Sequence, residues 1–211
     1  MNKEQFIIEC KKIGIDISQD QLKQLDQFYH LMLEWNEKIN LTRITEEKEV
    51  YLKHFYDSLT LNKAVDLTRD FTLCDVGSGA GFPGIVLKII FPNLKITLID
   101  SLLKRVKYLN DIIEKLGLKE IEALHYRMEE YNKLGNKFDI VTARAVANLS
   151  KLYTYCMPAL KKDGLFVAMK AKAKEEIFEL KAKHKNLNIE EIEFLLPYEN
   201  ANRNLIIIKN K

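Results

Sequence analysis

The stretch Leu73-Cys74-Asp75-Val76-Gly77-Ser78-Gly79-Ala80-Gly81-Phe82-Pro83-Gly84 decides how this chain is read. Four of the protein's eight glycines fall within its last eight residues. The apolar run Phe71–Val76 before them predicts a short buried strand, and Ile85–Phe91 after them predicts a helix, with Pro83 in its first turn. A strand, a glycine turn and a helix form a nucleotide cradle, because the backbone can turn tightly and approach a ligand where a Cβ would collide. A lone glycine would imply no more than a tight turn; four at this spacing imply a ligand.

Gly79-Ala80-Gly81-Phe82-Pro83-Gly84 also satisfies the dinucleotide pattern G-x-G-x-x-G, with Asp100 at ribose-binding distance after the next apolar run, Lys95–Asp100. A nicotinamide-dependent oxidoreductase is therefore a rival reading. The surroundings favour S-adenosylmethionine. Asp75 precedes the first glycine, an acid suited to a cationic ligand bearing an amino acid, and Glu129 follows a third strand-like run, Ile121–Tyr126. No Gly-Lys-Ser/Thr follows the glycines, which excludes a Walker-type ATP loop.

At 211 residues the chain suits one α/β domain with an appendage: a helical extension over 1–67 and a cofactor-binding domain over 68–211. The net charge of +3 requires nucleic-acid binding to come from local patches rather than bulk attraction. Cys10, Cys74 and Cys156 are scattered, without a CxxC pair, which predicts reduced thiols and no structural metal. The charged start and the absence of an 18-residue apolar run predict a soluble, cytoplasmic protein that does not enter a membrane.

Ser18 and Gln21 form a capping-box pattern, and Leu22, Leu25, Phe28, Tyr29, Met32 and Leu33 share one helical face, predicted to pack on the main domain. From Phe71 onward strands are expected at 71–76, 94–99, 120–125, 138–142 and 164–170. Helices are expected at 83–91, 102–116, 148–160 and 173–184, with a turn at 161–164. This alternation predicts a parallel sheet wrapped by helices. Ile189–Leu196 and Asn204–Ile208 predict a terminal antiparallel hairpin, which distinguishes methyltransferase sheets from dinucleotide dehydrogenases.

The chain resembles the bacterial family of small-subunit (16S) ribosomal RNA guanine-N7 methyltransferases, also called glucose-inhibited division protein B. The resemblance is carried by Trp35-Asn36, Asn40-Leu41-Thr42-Arg43, His54 with Asp57-Ser58, Asp75–Gly84, Asp100-Ser101 and Lys104-Arg105-Val106. It continues through Arg127-Met128-Glu129, Phe138-Asp139, Arg144-Ala145, Lys170 and Arg203. The chain departs from the family at Ala171, where glycine is common. The resemblance implies a Rossmann-like class I methyltransferase fold: a mostly parallel seven-stranded sheet, a C-terminal antiparallel hairpin and an N-terminal helical cap. It implies methyl transfer from S-adenosylmethionine to N7 of a guanine in 16S ribosomal RNA, on RNA or small ribosomal subunits, by a monomer. The alternatives are a methyltransferase of this fold acting on a small molecule or protein, and a non-catalytic binding module.

The expected cofactor residues are Asp75, Gly77, Gly79 and Phe82, Asp100 for the ribose, Met128 and Glu129 for the adenine, and Arg144 facing the substrate. Arg144 is equally suited to a loop-ordering salt bridge with Asp139 or Asp75. The expected RNA-binding residues are Arg43, Lys104, Arg105, Lys170, Lys172 and Arg203, supported by eight lysines against four acids in residues 161–185. His54 suits a core position or a hydrogen bond to Asp57. No catalytic side chain is assigned, because guanine N7 carries a lone pair and no proton. Alignment is then the whole task. The sequence Ala143-Arg144-Ala145 stands where amino-group methylases carry Asp/Asn-Pro-Pro-aromatic, and Cys156 sits in an expected helix, unlike the nucleophile of cytosine-C5 methylases.

Overall fold

The structure is a computed structural model and describes residues 1–210; Lys211, the last residue of the domain expected over 68–211, lies outside the described residues. Seven strands form one sheet: β1 (Thr72–Val76), β2 (Lys95–Asp100), β3 (Ile121–His125), β4 (Phe138–Arg144), β5 (Leu160–Lys170), β6 (Glu190–Leu195) and β7 (Asn202–Lys209). Their spatial order is β3-β2-β1-β4-β5-β7-β6. The first five run parallel, and β7 enters antiparallel between β5 and β6. Strand order reverses between β1 and β4, and in such sheets ligands lie beyond the carboxyl ends at that switch. The expected hairpin and parallel core are both present.

Helices α1 (Lys3–Lys12), α2 (Gln19–Ile39), α3 (Glu47–Val50) and α4 (Asp57–Leu59) precede the sheet. Ser18 and Gln21 cap α2 reciprocally, as their spacing predicts. Leu25, Phe28, Tyr29 and Met32 are buried, while Leu22 and Leu33 stay partly covered. Phe28 packs on Phe55 and Phe82, with ring centroids 5.8 and 5.5 Å apart, so the helical segment and the glycine-turn region share one core. Burying each such side chain stabilises the fold by about 1.5–3 kcal/mol. Between α3 and α4 the helix widens into a π-helical stretch, Tyr51–Tyr56. Such insertions often mark functional sites.

The sheet is wrapped by α5 (Gly84–Ile90), α6 (Leu103–Lys115), α7 (Met128–Tyr131), α8 (Leu149–Cys156) and α9 (Lys174–Lys183). Three local expectations are corrected. Pro83 sits just before α5, as its N-cap, instead of in the first turn, and the Phe82–Pro83 bond is cis. A short helix, α7, lies between β3 and β4 where none was assigned. Residues 161–164 are not a turn before β5 but an irregular part of it. Phe138 pairs with Leu160 and Ile140 with Leu165, and the extra residues bulge out with Asp163 at φ 64°.

Candidate functional site

One cavity of about 680 Å³ opens beyond the carboxyl ends of β1, β2, β4 and β5, a size suited to a cofactor-scale ligand. Its first wall is the glycine turn. Gly77 has φ 72° and Gly79 φ 56°, left-handed conformations that disfavour a side chain. A Cβ on Gly77 would lie 2.6 Å from Val146, whereas one on Gly79 would meet only Gly77 O, at 3.8 Å. The amide of Gly79 donates to Asp100 Oδ2 at 2.9 Å, and Leu102 N–H donates to Asp100 Oδ1 at 2.9 Å. Arg105 Nη1 stands 3.5 Å from the same carboxylate. Asp100 is thus held at the end of β2, at the cavity edge, by backbone groups close in sequence.

Asp75 does something different. Its side chain is fully buried under the turn and is not part of the cavity wall. Oδ2 accepts the Gly84 amide at 3.0 Å, and Oδ1 has no partner among the described residues. Burial raises the carboxyl to about 7, although the bonds from Gly84 and Ser78 and the charge of Arg144 pull it down. Gly84 is required for space: a Cβ there would stand 2.2 Å from Leu98 and 2.9 Å from Asp75 Oδ2. The expected ligand contact from Asp75 is therefore corrected to a support for the turn.

The opposite wall is built from distant segments. Asp57 opens α4, is 6% exposed, and accepts from Arg144 Nη1 through Oδ2 and from Arg203 Nε through Oδ1, both at 2.9 Å. Arg144 Nη1 also donates to Lys53 O at 3.0 Å, and its guanidinium lies 5.1 Å from the Phe82 ring centroid. Its Nη2 lies 3.1 Å from His54 Nδ1. Because arginine only donates, Nδ1 accepts. The imidazole proton is then on Nε2, which donates to Thr42 Oγ1 at 3.0 Å. Thr42 Oγ1 in turn accepts the Ile44 amide at 3.1 Å. Burial, helped by the Arg144 charge, lowers His54 to about 3 and keeps it neutral. Its ring stacks on Phe82 at 4.3 Å. The salt bridges of Arg144 to Asp139 or Asp75 are not made, and neither is the His54–Asp57 bond. Asp139 instead binds Thr72 and Lys161.

Gly77, Gly79, Phe82, Asp100, Arg105, Arg144, Lys170, Lys172 and Arg203 all border the cavity. Phe82 is nevertheless mostly covered, with its ring against His54 and beneath Arg144. Met128 is buried in the core on one face of the sheet, and Glu129 is exposed on α7; neither borders this cavity. The short helix α7 starts at Met128, soon after β3 ends at His125. Arg43 and Lys104 are exposed outside the cavity wall. Lys170 is not a free cation: its ammonium binds Ala147 O at 2.7 Å and Glu176 at 2.8 Å. Glu176 also accepts the Leu149 amide, so this pair secures the β4–α8 loop. Lys172 is exposed. Ala171, at the family's common glycine, borders the cavity and gives its carbonyl to Asn204 Nδ2 at 3.1 Å. Asp57 and Thr42 were not among the expected site residues. Their signal was present, since both lie in the motifs that carried the resemblance, but nothing local connects them to Arg144.

No described helix is long and apolar enough to cross a membrane. Among solved structures the chain is similar to precorrin-6y C5,15-methyltransferase from Geobacter metallireducens, with TM-score 0.54, 17% identity, and 80% of this chain and 90% of that one covered. It is also similar to the ribosomal protein L11 methylase from Lactobacillus delbrueckii, with TM-score 0.58, 17% identity and coverage of 80% and 81%. These likenesses establish the Rossmann-like methyltransferase fold. Two ribosomal RNA small subunit methyltransferases G are much closer in sequence. That of Bacillus licheniformis is 49% identical over 218 residues, covering all of this chain and 91% of the relative. That of Listeria monocytogenes serovar 1/2a is 47% identical over 217 residues, covering 99% and 90%. The family model described as GidB, rRNA small subunit methyltransferase G, matches residues 21–206. With its fold, its glycine-turn cavity and this full-length similarity, the chain belongs to the GidB family of ribosomal RNA small subunit methyltransferases.

Proposed function

We propose that this protein transfers a methyl group from S-adenosylmethionine to N7 of a guanine in 16S ribosomal RNA, in the cytoplasm, on the RNA or on the small ribosomal subunit. The observation that carries the reading is the two-walled cavity, with a glycine turn and Asp100 on one side and a pair of arginines held by Asp57 on the other. The first wall supports the cofactor reading: Gly79 leaves the backbone open to the cavity, and Asp100 at the cavity edge would accept from ribose hydroxyls. Gly77, Gly79 and Asp100 would hold S-adenosylmethionine, which when bound supplies a methyl group activated by its sulfonium.

The chain's own residues then have three tasks. The glycine turn and Asp100 fix one reactant, the Asp57-held arginines fix the other, and the Phe82–His54 stack makes a firm floor below Arg144. Guanine N7 presents an in-plane lone pair and loses no proton, so holding the reactants in line provides the rate gain. Neutral His54 is engaged on both ring nitrogens, which suits a supporting role better than proton transfer.

The test is transfer of labelled methyl to unmodified small ribosomal subunits and, in parallel, to their deproteinised RNA. Product is mapped by borohydride and aniline cleavage at 7-methylguanine. Label at one guanine is the expected result. Absence of label from both substrates, with measurable cofactor binding, would overturn the RNA assignment in favour of a small-molecule or protein substrate.

A further inference from the structure

The charges around the cavity are unevenly matched. Its wall holds six cationic side chains (Lys53, Arg105, Arg144, Lys170, Lys172 and Arg203) and three carboxylates (Asp57, Asp100 and Glu176). Arg105 stands by Asp100, Lys170 binds Glu176, and Lys53 binds Glu49 and Glu199 from outside the wall. Asp57 alone faces two arginines. The excess positive charge therefore sits on Arg144 and Arg203, with exposed Lys172 as the remaining cation of the wall.

The bonding geometry keeps this excess available. Asp57 takes Arg203 through Nε, and Arg203 Nη1 donates to Asn202 O. No hydrogen bond among the described residues engages Arg203 Nη2. Arg144 spreads its contacts over Lys53 O, Asp57 and His54, which fixes the plane of its guanidinium. The two side chains come from β4 and β7, on either side of β5, and converge on one carboxylate supplied by the helical segment. Guanidinium groups with fixed planes match the paired oxygens of a phosphate or a carboxylate with two parallel hydrogen bonds.

We propose that Asp57 is a positioning residue that holds Arg144 and Arg203 as a joint receptor for a phosphodiester of the RNA substrate beside the target guanine. This rests on the RNA reading above. The shared chemistry is an oxyanion, and the cofactor's carboxylate is the competing source. Arg203 favours the phosphodiester, because β7 lies three strand positions from β1, about 14 Å at the usual spacing.

Asp57→Asn and Arg203→Lys test the receptor, with Arg203→Gln as a third variant, each assayed for methyl transfer to small ribosomal subunits over a range of salt and for S-adenosylhomocysteine affinity by calorimetry. Asp57→Asn adds net positive charge, so electrostatic attraction alone would lower KM for the RNA. A positioning role predicts the opposite, a KM raised about tenfold with cofactor affinity within twofold of the parent. Arg203→Lys preserves both the charge and the ion pair, and is read if Asp57→Asn fails to fold. It should raise KM in the same way, with kcat less affected. Arg203→Gln should also flatten the dependence of log affinity on log salt by about one unit. Unchanged KM in both folded variants, a lowered KM in Asp57→Asn, or a parallel loss of cofactor affinity would each overturn the receptor. Failure of the unaltered protein to methylate RNA would instead remove the parent reading.

Discussion

Two aspartates face the same cavity and are held in opposite ways. Asp100 is fixed by the amides of Gly79 and Leu102 and by Arg105, all within 21 residues of it. Asp57 is fixed by Arg144 and Arg203, 87 and 146 residues away. The first arrangement forms as soon as β1, β2 and the glycine turn come together. The second exists only after the helical segment, β4 and the terminal hairpin have all docked. The glycine-turn wall is thus a local device, and the arginine wall depends on the whole fold.

Breaking the long-range side should have the largest effect on stability. Asp57→Ala leaves two largely buried guanidinium groups without their counter-ion, and is expected to destabilise the protein by about 3–5 kcal/mol. Denaturant unfolding measures this; a loss below about 1 kcal/mol would show that the cap and sheet do not depend on the ion pairs. On the local side, Gly84→Ala drives a methyl into Leu98 and Asp75, and is expected to destabilise by about 1–3 kcal/mol. A substitution without effect on the thermal midpoint would mean that α5 can shift away from β2 freely.

A third effect concerns pH and opposes the two sides directly, changing stability by no more than about 1.4 kcal/mol per pH unit. His54 is held near 3 against an ordinary 6.5, so below pH 6.5 the unfolded chain takes up a proton that the native one refuses. Stability from this group falls as pH falls. Asp75 is raised from 3.8 to about 7, so the native chain binds the extra proton, and stability from it is lost as pH rises toward 7. Between pH 3.8 and 6.5 the two offset one another. Asp75→Asn removes one of them, so stability of the variant should decline about 1.4 kcal/mol per pH unit more steeply on acidification than that of the parent. Equal slopes would show that Asp75 does not titrate in this range.

The same contrast explains what could be read from the chain alone. The glycine spacing, the apolar runs and the distance to Asp100 are local, and they predicted the turn, the parallel core and the hairpin. Residues at the ends of β2, β4 and β5 reached the cavity because strand direction places them there. Met128 and Glu129 lie in a short helix that begins three residues after β3 ends, and neither borders the cavity. Asp75 reads in sequence as a strand-end acid facing the ligand, but β1 runs on to Val76 and both residues are buried. Lys170 reads as a surface cation until α9 brings Glu176 against it. The Asp57 pairing had no local signal: it depends on a π-helical stretch and on contacts across most of the chain.

The most direct test of this division measures two quantities on two variants: S-adenosylhomocysteine affinity and KM for small ribosomal subunits, in Asp100→Asn and Arg203→Gln. Losing a charged hydrogen-bond acceptor for the ribose corresponds to about 1.5–3 kcal/mol. Asp100→Asn should therefore weaken cofactor binding at least tenfold with little change in KM for the RNA, and Arg203→Gln should do the reverse. If either variant impairs both quantities equally, the cavity is one coupled site and the account of two separately built walls is wrong.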